Sequence, residues 1–469
     1  MSTVDQQVEA ALSLVDSDKE LRLQRLFNLL KIQSISTDPA FAGECKRAAQ
    51  GLSDELSEIG FDSRVVATEG HPIVLAHMDT PNEEAPRVLF YGHYDVQPVD
   101  PLDLWDGDPF EPVVLEREDG SRFIRARGAS DDKAQVRTFI EACRAWIGAT
   151  GELPCGVTIF LEGEEESGSP SMPRFLEEYG NELRRADIAL ICDTTMWDRD
   201  TPAITVSLRG TVAGEVTITG PDRDLHSGLY GGAALNPLHA LTRIFAQLWT
   251  ADGKVALEGF YDGVGEPDAE LKAAWKDIDF DDDAFLGAVG LDHPAGENDR
   301  SVLEKIWSRP TAEINGMWGG YTGAGFKTVI PSKASAKVSF RLVPGQDPDL
   351  VWASFERFAT DKLPVGASIT FNKRGGDKAH AVSIHNNYLR MSLEALREEW
   401  QTEPLLIGGG GSIPIVGDLK RHLGLDSILA GFGLDDDSIH SPNEKYEMKS
   451  FERGTRSWVR LLAAFSKRC

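Results

Sequence analysis

Basic side chains are scarce in this chain. Its 469 residues carry 48 Lys and Arg against 75 Asp and Glu, a formal net charge of −27 at pH 7. A surface of that sign repels nucleic acid and anionic membranes, so neither is expected as a partner. Long apolar runs are also missing, and no stretch reads as a bilayer span. The opening MSTVDQQVEAALSLVDSDKE is polar and acidic, without the basic start and apolar core of a secretory leader. Cysteine is sparse: Cys45, Cys143, Cys155, Cys192 and Cys469 are scattered with no C-x-x-C pair. That odd, dispersed set argues against a disulfide framework and suits reduced thiols in the cytoplasm. Repeats, linkers and low-complexity tracts are absent too. The length suits two domains better than one core.

What is present reads first as alternating helices and strands. Helical spacing of Leu and Phe runs from Glu20 to Leu30, and an amphipathic helix from Ala42 to Ile59 is stopped by Gly60. Short apolar runs at Val88–Tyr91, Val157–Leu161 and Ile188–Cys192 read as buried strands. Val113–Leu115 and Phe123–Ala126 read as a hairpin around Asp119-Gly120. Ser130 is placed to cap a helix reaching about Ile147. This alternation predicts an α/β fold, a mostly parallel sheet flanked by helices. Ligands of such sheets sit beyond the carboxyl ends of the strands.

The character changes near Arg209-Gly210. Val212–Thr219 and Ala334–Leu342 alternate like half-exposed strands, with helix-like stretches at Leu235–Trp249 and Asp349–Lys362. An acidic segment from Asp252 to Arg309 reads as a solvated loop, because its Asp281-Asp282-Asp283 run has no calcium-loop spacing. After about Asn387 the first pattern returns. The expected organisation is therefore one α/β domain, residues 1–209 and 388–469, interrupted by an inserted α+β domain over 210–387.

Acidic residues and histidines collect where the strands end. His93 and Asp95 lie two apart, where the carboxylate can orient the imidazole. Asp131 and Asp132 follow Arg127-Gly128-Ala129-Ser130. Glu162, Glu164, Glu165 and Glu166 follow one strand, Asp193 ends another, and His440 precedes Ser441-Pro442-Asn443-Glu444. Singly, a strand-end Asp is a turn or cap residue and a Glu run is a solvated face. Gathered at one sheet edge, carboxylates repel one another unless cations neutralise them. Two histidines with three carboxylates make a ligand set for two divalent ions with one bridging carboxylate.

At this point the motifs carry a resemblance. GHYDVQP from Gly92, RGASDDK from Arg127 and EGEEESGS from Glu162 resemble signatures of the M20 metallopeptidases. So do DLHSG from Asp224, KTVIP from Lys327, RLVP from Arg341, GGSIP from Gly410 and HSPNE from His440. They occur in family order along nearly the whole chain. DLHSG and the long acidic insert are most similar to cytosolic non-specific and carnosine-type dipeptidases. One departure is Ala134, where relatives usually have Gly.

The resemblance implies a zinc-peptidase-like catalytic domain and an inserted lid and dimerisation domain. It implies two divalent ions per subunit, zinc or manganese, with cobalt also fitting N/O ligands. His93, Asp131 and Asp193 would hold one ion, and Asp131, Glu166 and His440 the other. Glu165 matches the general base that takes a proton from the attacking water and passes it to the leaving amine. Asp132 matches a structural neighbour, joined to Asp131 by a cis peptide in relatives. Arg341, Gly411 and Ser412 are implied contacts for a short peptide's C-terminal carboxylate. The run Gly408–Ser412 lacks the Lys-Ser/Thr ending of a phosphate loop. His226, accompanied by Thr328, matches an oxyanion donor that reaches the partner subunit's site. His380 and His385 are further candidates for substrate contact. The implied activity is hydrolysis of dipeptides or very short peptides by a homodimer. N-acyl amino acid deacylation or desuccinylation on the same scaffold is the alternative, and Asp rather than Glu at position 193 favours the dipeptidase.

Overall fold

In the computed structural model, which describes residues 3–82, 84–411 and 413–466, the expected helices and strands form with small shifts of their ends. Two compact units emerge. The first comprises Met1–Val206, Val382–Ile407 and Asp418–Cys469, and the second Ser207–Ala381 and Gly408–Gly417.

The first unit is built on strands β1 (Asp62–Val66), β2 (Ile73–Met78), β3 (Arg87–His93), β4 (Gly156–Glu162), β5 (Ile188–Ile191), β6 (Ala203–Leu208) and β7 (Ser427–Leu429). They lie in the order β1-β2-β4-β3-β5-β7-β6. The central pairs β4–β3, β3–β5 and β5–β7 are parallel. Pairing is antiparallel for β1–β2, β2–β4 and β7–β6. The sheet is thus mixed, with its parallel part in the middle. Linkage explains this. Only a short loop joins β1 to β2, and a short loop permits an antiparallel return alone. Helix Lys133–Thr150 crosses from β3 to β4 and helix Met172–Leu183 from β4 to β5, as parallel neighbours require.

The continuous apolar runs of β3 and β4 are buried on both faces. Phe90 of β3 stacks on Phe139 of the crossover helix, with centroids 3.7 Å apart, and Trp458 of helix Met448–Ala464 meets both rings edge-on. The indole N–H groups are satisfied: Trp458 donates to Thr138 Oγ1 and Trp146 to the Val459 carbonyl, each at 3.1 Å. This core fixes β3 against the crossover helix, and so fixes the turn between them that carries Asp131.

That turn corrects the expected cap. The helix starts at Lys133, with Asp132 at its N-cap and no side-chain cap bond. Ser130 Oγ instead donates to Asp437 Oδ2 at 2.7 Å. A distant carboxylate outcompetes the local backbone N–H groups for this hydroxyl.

In the second unit, strands Gly210–Thr219, Thr311–Gly319, Lys333–Leu342 and Ser368–Asp377 form an antiparallel sheet. Gly210–Thr219 alternates buried and half-buried residues along its length, as its pattern predicts. Helices Pro237–Phe245 and Pro348–Asp361 bury their apolar stripes with this sheet in one core. The acidic segment contains short helices rather than only loop. Asp281 caps one of them, accepting from Ala284 N, which accounts for that residue without a cation. Among the described residues no helix is long and apolar enough to cross a membrane.

Candidate metal centre

Each candidate ligand of the first unit stands where a strand or turn ends. His93 is the last residue of β3 and is fully buried. Its position needs Gly92, because a Cβ there would lie 2.4 Å from Val136 Cγ2 and 2.8 Å from Asp132 Oδ2. Glu165 and Glu166 open a single 3-10 turn just beyond β4, and Asp193 lies two residues past β5. His440 sits in a loop where Ser438, His440 and Asn443 all have positive φ. The Asp131–Asp132 peptide bond is cis.

These five side chains fall into two groups that share one carboxylate: His93, Asp131 and Asp193, then Asp131, Glu166 and His440. Within each group the ligand atoms lie within 4.8 Å of one another. Asp131 faces both histidines. Its Oδ1 is 2.9 Å from His93 Nε2 and its Oδ2 2.9 Å from His440 Nε2. His93 Nε2 is 3.9 Å from Asp193 Oδ2, and His440 Nε2 is 3.2 Å from Glu166 Oε2.

The residues behind them set their directions. His93 Nδ1 lies 3.1 Å from the Asp95 carbonyl and 3.4 Å from Asp95 Oδ1. The orienting contact expected from Asp95 thus includes its backbone as well as its side chain. Asp95 Oδ2 accepts from Glu166 N at 3.0 Å, and Gln97 Nε2 donates to Glu166 Oε2 at 2.7 Å. Asp132 Oδ2 accepts from His93 N at 3.2 Å. Asp132, read from the resemblance as a structural neighbour, thus holds the His93 backbone, whereas Gln97 was given no role in the sequence. Both lie within motifs, GHYDVQP and RGASDDK, and that membership was the signal for them.

The electrostatics are those of crowded carboxylates. Burial pushes the Asp193 carboxyl up to about 7, and Asp131 and Glu166 add to that shift. Burial also pushes the half-buried Glu165 up to about 8; His93 opposes the rise, while Asp193, Glu166 and Asp131 reinforce it. Hydrogen bonds to Asp131 and Glu166 hold His440 up at about 10. Burial opposes ionisation of Asp131, yet His440 and His93 hold it well below the usual carboxylate range. Protons and imidazolium charge here do what a divalent cation does better. A cation in each group stabilises ionised carboxylates and neutral imidazoles together. The donor set of imidazole nitrogen and carboxylate oxygen fits such ions. Buried His93 Nε2 faces Asp131 Oδ1 at 2.9 Å yet makes no aligned hydrogen bond among the described residues, an atom that an ion would satisfy.

Other expected site residues belong to the second unit. His226 is exposed, and its Nδ1 accepts from Gly228 N at 3.0 Å. That bond leaves the proton of a neutral ring on Nε2, which can donate outward. Thr328, also exposed, accepts at its carbonyl from Ser227 N, and Val329 pairs with His226. Arg341 lies half-buried near the end of strand Lys333–Leu342. Burial lowers the Arg209 guanidinium to about 10, and the charge of Arg341 beside it adds to the shift. Arg209 is pinned by its Nε bond to the Gly410 carbonyl at 3.1 Å. Gly411 is exposed with open space around its Cα, and Ser412 lies outside the described residues. His380 sits against Gly417, where a Cβ would come within 2.4 Å of its Nε2.

Comparison with known proteins places the chain in a family. A Cys-Gly metallodipeptidase, DUG1, of Candida albicans is 30% identical over 97% of both chains. The crystal structure of human carnosine dipeptidase 1 superposes with a TM-score of 0.80 at 26% identity, covering 98% of each chain. That of the M20 metallo-carboxypeptidase Sso-CP2 of Sulfolobus solfataricus gives 0.81 at 29% identity, covering 95% of this chain and 99% of that one. The family described as Peptidase family M20/M25/M40 matches residues 89–464, and the chain belongs to it.

Proposed function

We propose that the chain is a cytoplasmic, homodimeric dipeptidase that hydrolyses the peptide bond of dipeptides with two divalent ions, zinc, manganese or cobalt. The observation that carries this reading is the pair of ligand groups meeting at Asp131, with Glu165 inside their field. Relatives named as Cys-Gly and carnosine dipeptidases support the substrate class. Four free, buried cysteines, Cys45, Cys143, Cys155 and Cys192, support a reducing compartment.

In this reading His93, Asp131 and Asp193 hold one ion and Asp131, Glu166 and His440 the other. The ions supply acidification of water and polarisation of the scissile carbonyl. Glu165 takes the proton of the attacking water and returns it to the departing amine nitrogen. Asp95 and Gln97 keep His93 and Glu166 aimed. Arg341, with Gly411 and Ser412, binds the C-terminal carboxylate of the substrate. His226 Nε2–H, with Thr328, stabilises the oxyanion. The second unit serves as lid and dimerisation domain.

The direct test is a panel of dipeptides, dipeptide amides, longer peptides and N-acyl amino acids. It is run on metal-stripped protein with each metal added. Dipeptides should be the best substrates. An amide lacks the charge that Arg341 pairs with, so its kcat/KM should fall about 30-fold or more, the loss expected on leaving one buried charge partner unpaired. Faster turnover of N-acyl amino acids would replace this reading with a deacylase. Equal kcat/KM for a dipeptide and its amide would remove Arg341 from it.

We also infer that His226 and Thr328 act at the partner subunit's site. Mixing His226→Ala with Glu165→Gln separates this from independent sites. A mixed dimer then holds one intact site and one doubly damaged site. Random pairing at equal concentration should restore about a quarter of wild-type activity, by two-fold symmetry. No recovery, with subunit exchange verified, would exclude shared sites.

A further inference from the structure

The segment that follows His440 grips the turn that carries Asp131. Strand Lys445–Glu447 pairs antiparallel with Arg122–Arg125. One step further the ladder is extended by Ala126 N, which donates to the Glu444 carbonyl at 3.1 Å. Beyond that point the chain 127–131 curls away from the ladder, and the Glu444 side chain follows it. Its Oε2 accepts from Arg127 Nη1 at 2.7 Å and Gly128 N at 2.9 Å. Its Oε1 accepts from Ser130 N at 2.8 Å and Asp131 N at 3.0 Å. Glu444 is fully buried, and Arg127 is 1% exposed.

Four donors fill the roughly four acceptor positions of one carboxylate. A buried ion pair with Arg127 would need only one of them. The other three come from backbone N–H groups of one turn, those of Gly128, Ser130 and Asp131, a nest of the kind that binds anions, and here the anion is internal. Gly128 makes the nest possible. Its φ is +78°, and a Cβ would lie 2.6 Å from Val96 Cγ1. Asp437 adds a second grip on the same turn. It is fully buried, accepts from Ser130 Oγ, and binds Lys445 Nζ at 2.6 Å through its other oxygen.

We propose that Glu444 is a positioning residue for the metal centre, fixing the bridging carboxylate of Asp131 relative to His440, four residues before it in the same loop. The proposal rests on the reading of Asp131 and His440 as ligands. Glu444 fixes the Asp131 backbone, and through it the placement of Oδ1 toward His93 and Oδ2 toward His440. Its loss should weaken most the group that needs both tied segments, Asp131, Glu166 and His440. Glu444→Gln keeps the size but puts an NH2 group against two N–H donors, so one end of the nest is left without an acceptor.

The test titrates Co2+ into metal-stripped full-length protein and follows the d–d absorption, with far-UV circular dichroism confirming the fold. Wild type should take two Co2+ per chain. Glu444→Gln should take the first within a few-fold of wild type and the second about 10- to 100-fold more weakly, the usual effect of losing a ligand-orienting partner. At saturating Co2+ its kcat should recover to within several-fold, with the KM for a dipeptide unchanged. Glu444→Asp, which keeps the carboxylate, should fall between the two. A purely structural role would lower the unfolding temperature of the stripped and loaded protein alike and leave both affinities at wild type. That result in folded Glu444→Gln overturns the proposal. If Glu444→Gln does not fold, Glu444→Asp decides by the same criterion. Asp131→Ala runs in parallel. Retention of both ions there would overturn the ligand reading itself, whereas their loss there beside wild-type affinity in Glu444→Gln would overturn the positioning role alone.

Discussion

Glu165→Gln should lose about 10²- to 10⁴-fold in kcat while keeping both metal ions, the range spanned by a positioned general base. The substitution preserves shape and removes only the ability to accept and return a proton. Glu165 belongs to neither ligand group, so metal content should not change. KM for a dipeptide should move little, because the lost interaction is made in the transition state. The environment of Glu165 suits the role. Burial and the charges of Asp193, Glu166 and Asp131 raise its proton affinity, and His93 draws it back. Bound cations pull the same group down again, leaving a base whose strength depends on an intact centre. Steady-state kinetics with metal analysis on the same sample check this. A variant with wild-type kcat would remove Glu165 as the base. A variant that loses its metals would make it a ligand instead.

Asp131→Ala should abolish activity and lose both ions, the larger consequence because one side chain serves both groups. His93→Ala, by contrast, removes a ligand from one group only and should spare part of the occupancy of the other. The fold of Asp131→Ala should persist, since the turn is held through backbone N–H groups that remain. Chelation of the wild-type protein should reproduce the loss of activity, and zinc, manganese or cobalt should restore it. Spectroscopy showing a folded Asp131→Ala protein with one ion still tightly bound would argue against a bridging carboxylate. Chelator-resistant turnover in the wild type would argue against metal chemistry altogether.

Three of the five candidate ligands were legible because each ends or follows a strand whose apolar run is continuous, whereas Asp131 and His440 follow no such strand and were marked by their motifs alone. His93 ends β3, Glu165 and Glu166 follow β4, and Asp193 follows β5. A strand end in the parallel part of a sheet has one direction to face, so linear order translated into a shared edge. The alternation in Gly210–Thr219 and Lys333–Leu342 was legible for a related reason, since one face of an antiparallel sheet is covered and the other is not. Ser130 was misread as a cap because the expectation used only local donors, whereas Asp437, 307 positions away, holds its hydroxyl. The cradle of Glu444 was hidden for the same reason. Its four partners lie more than 300 residues upstream, and three of them are backbone N–H groups, which leave no mark in side-chain identity. The antiparallel flanks of the sheet were not foreseen, because a run such as Ile73–Met78 is equally apolar in either direction. Residues 408–417 fall in the second unit although they lie beyond the return of the helix-strand alternation near Asn387, since compactness follows spatial contacts and not chain order.

The central claim is that two ions meet at Asp131, and anomalous scattering from crystals of the metal-loaded protein tests it most directly. Data collected on both sides of the absorption edge of the bound metal should give two peaks per chain. One should lie among His93, Asp131 and Asp193, the other among Asp131, Glu166 and His440, with a carboxylate oxygen of Asp131 within about 2.0–2.2 Å of each if the metal is zinc. A single peak, or peaks away from these side chains in crystals of protein with full dipeptidase activity, would contradict the account.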